Sequence, residues 1–273
     1  MPSVSIANSL IGWKINTENS QLKYFCKSCK PKKFAGLFVS VYLCTVKQQL
    51  PKTIIKMEKK RVFNLVILDA SGSMSSIYQQ ALTGVNETIA TIRLAQEQHA
   101  ELEQYLTLCS FSAGEQFLDV VFDALPIGAV RNITKEDYPL RGCTALYDAM
   151  GDMISSLQQK ISHDDLVLVT IITDGYENAS VRWSGRQIKS LVEELRQMGW
   201  TFTYIGANQD VEAVASQLGV RNTLAFQADA KGTATMFAKE RKARLRHTRL
   251  MMSFLSNDVE CCIEPTDYFK EED

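Results

Sequence analysis

The chain has 273 residues, a formal net charge of −1 and 45% hydrophobic side chains, which supports a soluble globular protein with one sizeable core. The charge is uneven: residues 1–56 hold nine Lys and one Glu, whereas residues 57–273 hold 21 basic against 30 acidic residues. The larger part is therefore acidic, and its charge argues against nucleic acid as a partner. Seven cysteines, an odd number without framework spacing, point to a reducing compartment, so the expected location is cytoplasmic.

Residues 1–56 read as a basic extension. Cys26-x-x-Cys29 and Cys44 lack a fourth zinc ligand, because no His precedes His99. The 13-residue apolar stretch 34–46, after Lys32-Lys33, is too short to span a bilayer as a helix. As a signal sequence it would make the protein exported, but its basic region is unusually long and no small-residue cleavage site precedes Lys47. The preferred reading is a start assigned upstream of Met57, with the extension poorly ordered if it is made.

From Met57 the pattern alternates strand and helix. Residues 62–68 are apolar at all but one position, as in a parallel strand covered on both faces. A helix is expected over 77–98, with Ile77, Ala81, Val85, Ile89 and Ile92 at helical spacing. Short strands 106–111 and 117–122 flank a hairpin turn at Ser112-Ala113-Gly114-Glu115. Residues 126–142 have no periodicity and read as a loop, followed by a helix over 144–157. A second buried-strand run, 166–173, precedes a helix over 184–198 that Gly199 stops. A strand at 201–205, a short helix at 211–218 and a strand at 223–226 follow. Strands separated by helices imply right-handed crossovers and a doubly wound, mostly parallel α/β sheet.

Oxygen ligands gather where the apolar runs end. Asp69-Ala70-Ser71-Gly72-Ser73 leaves the first strand, Thr144 opens a helix, and Asp174-Gly175 follows the second buried strand. In open α/β sheets that edge is where ligands bind. Two carboxylates and three hydroxyls suit a hard cation, Mg²⁺ or Mn²⁺, and five side chains leave a position of a six-coordinate ion open. The carboxylates cancel the charge of a divalent ion while Ser71, Ser73 and Thr144 add none. The metal stays electrophilic enough to take an Asp or Glu of another protein.

In this order, Asp69-x-Ser71-x-Ser73, Gly142-x-Thr144-Ala145-Leu146 and Thr173-Asp174-Gly175 resemble the metal-ion-dependent adhesion site of von Willebrand factor type A (vWA) domains. The resemblance covers about residues 60–228, and all five ligand positions are filled. It implies a six-stranded, mostly parallel, Rossmann-like sheet flanked by helices, with the metal on top. It also implies that the serines and the threonine coordinate directly or nearly so, and that the aspartates often act through water. Asp174-Gly175-Tyr176-Glu177-Asn178, Gly199-Trp200-Thr201-Phe202 and Ile205-Gly206-Ala207-Asn208 are similar to cytoplasmic bacterial and phage members.

The expected function is metal-dependent protein binding, in which an acidic residue of the partner completes the coordination. Glu177, Asn178, Asn208 and Asp210 follow the fourth and fifth strands and are candidates for a rim that reads the partner; loop solvation is their other role. Two alternatives are a metal-dependent phosphohydrolase and a scaffold whose metal site is unused. Haloacid-dehalogenase phosphatases use Asp-x-Asp with the second Asp as acid/base, and Ser71 stands at that position here. A serine hydrolase would want Gly-x-Ser-x-Gly and a His; His99, His163 and His247 read as surface residues, so no enzymatic activity is expected. Cys143 reads as a small buried apolar residue. The last helix, about 233–255, carries the stripe Ala234, Phe237, Ala238, Leu245, Thr248, Met252 and Leu255, with Lys239, Lys242, Arg244, Arg246 and Arg249 mainly elsewhere. It is expected to lay its apolar face on the sheet with its charges in water. The tail from residue 257 is expected to fray.

Overall fold

The apolar run ahead of Asp69 forms β1 (Lys60–Asp69) in a computed structural model of the chain, and residues 62–69 of it are buried. The structure describes residues 59–207, 210–256 and 268–270, and the chain divides between Lys56 and Met57. The expectations for residues 1–56, for Asn208, for the side chain of Leu255 and for the tail from residue 257 lie outside the described residues.

After β1 come α1 (Tyr78–Gln98), β2 (Leu102–Phe111), β3 (Leu118–Pro126), α2 (Leu146–Gln158) and β4 (Leu166–Thr173). Then follow α3 (Gly185–Gln197), β5 (Thr201–Ala207), α4 (Val211–Gln217), β6 (Asn222–Phe226) and α5 (Ala230–Ser256). The expected helix at 77–98 begins one residue later, because residues 72–77 first wind as a 3-10 turn. Ser184 starts α3 with a capping box: its side chain accepts the Gln187 N–H while the Gln187 side chain accepts the Ser184 N–H at 2.9 Å.

The six strands lie in the order β3-β2-β1-β4-β5-β6. Neighbours are parallel except β2 and β3, a hairpin closed by the Ser112 N–H donating to Phe117 O at 2.8 Å. Side chains alternate across the sheet. Phe63, Leu65 and Ile67 pack under α2, α3 and α4, and Val66 and Leu68 pack under α1 and α5. With both faces covered, the strand reads as one apolar run. The chain leaves β1 toward β2 on one side and returns to β4 on the other. Strand order therefore reverses between β1 and β4, and a crevice opens at their carboxyl ends.

The last helix departs in part from its expected face: Phe237 and Thr248 of the stripe are buried as expected. Ala234 and Ala238 are exposed, while Met236, Phe237, Ala243 and Met251 are buried together with Glu240, Arg244 and His247. Arg244 is 1% exposed and His247 3%, so neither is the surface residue expected. The reason lies on the sheet, whose face toward α5 carries Asn64 and Thr170. Arg244 Nη1 donates to Asn64 Oδ1 at 2.7 Å, Nη2 to Thr170 Oγ1 at 2.9 Å, and Nε to Glu240 Oε1 at 2.7 Å. A buried polar belt turns the helix to match it. Gly84 permits the approach of α1 and α5: a Cβ there would lie 2.0 Å from the Phe237 ring. Among the described residues no helix is long and apolar enough to cross a membrane.

Candidate metal centre

Asp69 ends β1 and is fully buried. Its Oδ1 accepts the Ser71 N–H at 2.7 Å and its Oδ2 accepts the Thr173 hydroxyl at 2.6 Å. The chain then turns tightly, which brings Ser71 Oγ and Ser73 Oγ to 3.0 Å from each other. Ser73 Oγ donates to Asp174 Oδ1 at 2.6 Å, which ties the end of β1 to the residue after β4. Thr144 arrives on a loop pinned to the same edge. The Gly72 N–H donates to Gly142 O at 3.1 Å, the Arg141 N–H to Ala70 O at 2.8 Å and the Ala145 N–H to Ser112 O at 3.2 Å. Gly142 makes that turn at φ +45°, a left-handed conformation that suits glycine. A Cβ added to Gly175 would lie 3.7 Å from both Ser73 Oγ and Thr144 Oγ1, so these two hydroxyls face one point beside Asp174. The five side chains singled out in the sequence thus converge from three segments.

The electrostatics of the cluster suit a cation. Burial pushes Asp69 up to about 6, against the opposing hydrogen bonds from Thr173 and Ser71. Burial likewise raises Asp174. A divalent ion supplies the charge that favours both ionised carboxylates. Adjacent oxygens around octahedral Mg²⁺ with bonds near 2.1 Å sit about 3 Å apart, which is the spacing of the two serine Oγ atoms. Among the described residues no group of three or more His, Cys, Asp or Glu gathers, so the donor set is hydroxyl-rich. These residues fit Mg²⁺ or Mn²⁺.

No protein-family model matches the chain, and no curated protein does. Solved structures do. The pilus adhesin SpaC from Lactobacillus rhamnosus GG matches with a TM-score of 0.51 and 13% identity, over 69% of this chain and 31% of that one. The PilB minor pilin from Streptococcus sanguinis matches with a TM-score of 0.50 and 12% identity, over 70% of this chain and 62% of that one. The likeness to these two is one of fold. The SpRpn10 VWA domain is also similar, with a TM-score of 0.45 and 9% identity, over 65% of this chain and 94% of that one. The matched region spans less than two thirds of the pilin's length.

Within this fold the expected rim residues face different ways. Glu177 turns inward. Its Oε1 accepts the N–H groups of Ala179 and Ser180 at 2.8 and 2.7 Å, and its Oε2 accepts the Ser180 hydroxyl at 2.7 Å and the Tyr147 N–H at 3.0 Å. Ala145 at the N-cap of α2 has no side-chain acceptor, so Glu177 caps that helix from another loop. Asn178 clamps Thr144: its Oδ1 accepts the Thr144 N–H at 2.9 Å, and its own N–H donates to Thr144 O at 3.0 Å. Asp210 caps α4 through the Ala213 N–H at 3.1 Å, and its N–H donates to the Tyr176 hydroxyl at 3.3 Å.

Three supporting roles escaped the sequence reading, one of them at Thr173, which the motif already contained. Tyr138, buried in the aperiodic loop, donates its hydroxyl to Asp69 O at 2.6 Å. Thr173 closes on the Asp69 carboxylate. Asp148, on the first turn of α2, accepts N–H groups from Val181, Arg182 and Trp183 at 3.0, 2.9 and 2.8 Å. Only Thr173 carried a signal, as the residue before Asp174. Cys143 is exposed rather than buried, next to the left-handed turn at Gly142.

The inward carboxylate of Glu177 leads to a stability test. Glu177→Ala should cost about 2–3 kcal/mol, the scale for hydrogen bonds to a charged acceptor, measured by urea unfolding. A loss below about 0.5 kcal/mol, the range of an ordinary surface substitution, would return Glu177 to a solvated rim role.

Proposed function

We propose that this domain is a divalent-metal-dependent protein-binding module, in which Asp69, Ser71, Ser73, Thr144 and Asp174 hold Mg²⁺ or Mn²⁺ and a partner's Asp or Glu completes the coordination. What supports this reading above all is the convergence of three uncharged hydroxyls with two buried carboxylates at the β1–β4 crevice. When bound, the ion supplies an electrophilic centre for a carboxylate. The chain's own residues set its charge and leave room for the incoming group. Asn178 and Tyr138 orient the donors through Thr144 and the end of β1. The role is binding rather than catalysis, because Ser71 stands where a phosphatase of this arrangement would need a proton-donating carboxyl. The reading also places the protein in the cytoplasm, in keeping with an exposed thiol at Cys143 and a buried one at Cys109.

Calorimetric titration of Mg²⁺ or Mn²⁺ into the full chain should give saturable binding to one site, lost in Asp69→Ala and in Asp174→Ala. Acetate, standing for a partner carboxylate, should then alter the spin-resonance spectrum of the Mn²⁺-loaded chain. Absence of metal binding by the parent chain sinks the reading. An unchanged spectrum removes its partner-carboxylate half. Hydrolysis of p-nitrophenyl phosphate above the Asp69→Ala background would reassign the site to a phosphohydrolase.

A further inference from the structure

The loop that runs from Asp174 to the cap of α3 at Ser184 engages its charged side chains within the fold and turns two apolar ones out of it. Asp174 accepts the Ser73 hydroxyl, and Glu177 caps α2. Arg182 lies over the Phe117 ring, 4.3 Å from its centroid, and pairs with Asp152 at 2.8 Å. Tyr176, by contrast, is 54% exposed and Val181 88%. Among the described residues five large hydrophobic side chains are exposed, and two of the five share this one loop. Scattered singly, such side chains need no account; a pair beside a candidate binding site does.

Hydrogen bonds hold both side chains where they are. The Val181 N–H donates to Asp148 Oδ2 at 3.0 Å, and the next two N–H groups donate to Asp148 Oδ1 at 2.9 and 2.8 Å. The backbone donors thus point to α2, and the Val181 side chain stays in solvent. At the other end the Tyr176 hydroxyl accepts the Asp210 N–H at 3.3 Å, at the cap of α4. Between them the loop is clamped to Thr144 by Asn178, and Gly175 sits beside the hydroxyls of Ser73 and Thr144. Strand order places the β2–β3 hairpin on one side of the β1–β4 crevice and β5, with α4 after it, on the other. Tyr176 therefore stands on the α4 side of the candidate metal centre. Val181 stands toward the hairpin, which its neighbour Arg182 touches through Phe117. A surface already held in place loses little freedom when it is covered.

This bracket selects among acidic partners. A carboxylate that reaches the crevice arrives between two apolar side chains, and covering them is favourable when its own neighbours are apolar too. Additional acids on the partner gain nothing from the loop, because its one cation, Arg182, is already paired. We infer that the partner segment presents a single acidic residue between apolar side chains, which pack on Tyr176 and Val181. The inference rests on the metal-dependent reading above and adds to it which acidic residues the site accepts.

The test follows the spin-resonance spectrum of the full chain loaded with Mn²⁺ during titration with three heptapeptides. One is Gly-Leu-Gly-Asp-Gly-Leu-Gly; the second replaces both leucines with Ser; the third keeps the leucines and replaces Asp with Asn. The leucine peptide should half-saturate at about one tenth of the concentration the serine peptide needs, and the Asn peptide should leave the spectrum unchanged. Tyr176→Ser with Val181→Ser should raise the leucine peptide's half-saturation to that of the serine peptide, with Mn²⁺ affinity unchanged. Val181→Ser alone, at a side chain in solvent, should remove part of the preference, and far-UV circular dichroism checks the fold of both variants. Equal half-saturation by the leucine and serine peptides, with the Asn peptide silent, overturns the apolar inference and leaves the carboxylate reading standing. An Asn peptide as effective as its Asp counterpart overturns the carboxylate reading and this inference with it. A leucine preference that survives in the double variant, or silence from all three peptides, overturns the inference as well.

Discussion

Replacing Arg244 with Met should cost about 3–5 kcal/mol of unfolding free energy, the range for breaking a buried ion pair by removing one partner. The guanidinium is 1% exposed, and burial works against its charge, but Glu240 and Tyr268 beside it together outweigh burial and hold its pKa above the ordinary value. Three hydrogen bonds fix it to Glu240, Asn64 and Thr170. Without it, Glu240 is a buried carboxylate that keeps only the long contact from the Tyr268 hydroxyl, at 3.5 Å, among the described residues. A double variant, Arg244→Met with Glu240→Leu, removes both charges and should be more stable than Arg244→Met alone. Urea unfolding of the three chains, followed by circular dichroism, decides it. A single variant within about 1 kcal/mol of the parent, or a double variant below the single, would refute a pair whose two charges depend on each other.

This pair also marks where local sequence reading stops. Asn64 is the one polar interruption of the first apolar run, and its side chain meets Arg244, 180 residues further on. Nothing near Asn64 announces that partner, and nothing near Arg244 announces a polar sheet. An amphipathic pattern therefore found only part of the buried face of α5, because apolar spacing finds a buried stripe only when the surface beneath is apolar. The candidate ligands were legible for the opposite reason. Each sits where an apolar strand gives way to oxygen donors, or where a helix opens, so its context lies within a few residues. Glu177 falls between the two cases. It was visible as a residue after β4, yet its role as the cap of α2 depends on Ala145 lacking an acceptor, in a loop more than thirty residues earlier. Caps supplied across the chain leave no spacing signature.

The same distinction explains why the candidate metal centre is built with so little sequence. The reversal of strand order between β1 and β4 places two strand ends side by side, and parallel pairing from Val62↔Leu166 to Leu68↔Ile172 fixes their level. Asp69 and Asp174 therefore meet without any dedicated scaffold. What the fold adds is the pinned loop that delivers Thr144 and the two clamps, Asn178 on Thr144 and Asp148 on residues 181–183, which hold the loop after β4 against the start of α2. Rigid support of this kind holds donors in place before an ion binds.

Below neutral pH the fold should lose stability through His247. The ring is buried edge-on to Tyr268, with centroids 5.3 Å apart, and among the described residues neither ring nitrogen has a hydrogen-bond partner. Burial, then Arg244 and Arg246 on the same helix, push its pKa down from 6.5 to about 3. The folded state therefore refuses a proton that the unfolded chain accepts. Between about pH 6.5 and 3 the unfolded state binds more protons, so stability falls as pH falls, by about 1.4 kcal/mol per unit. At pH 5 the loss from this residue is about 2 kcal/mol. Asp69 acts in the opposite sense in the metal-free chain: its raised pKa, about 6, gives stability at low pH that is lost as pH rises toward 6. A single profile mixes the two, and a comparison separates them. His247→Phe keeps an aromatic ring against Tyr268 and leaves Asp69 untouched, so with chelator present the parent should lose about 2 kcal/mol more than the variant between pH 7 and pH 5. Parallel profiles for the two chains would show that His247 takes its proton without unfolding, which the buried, unpartnered ring does not allow.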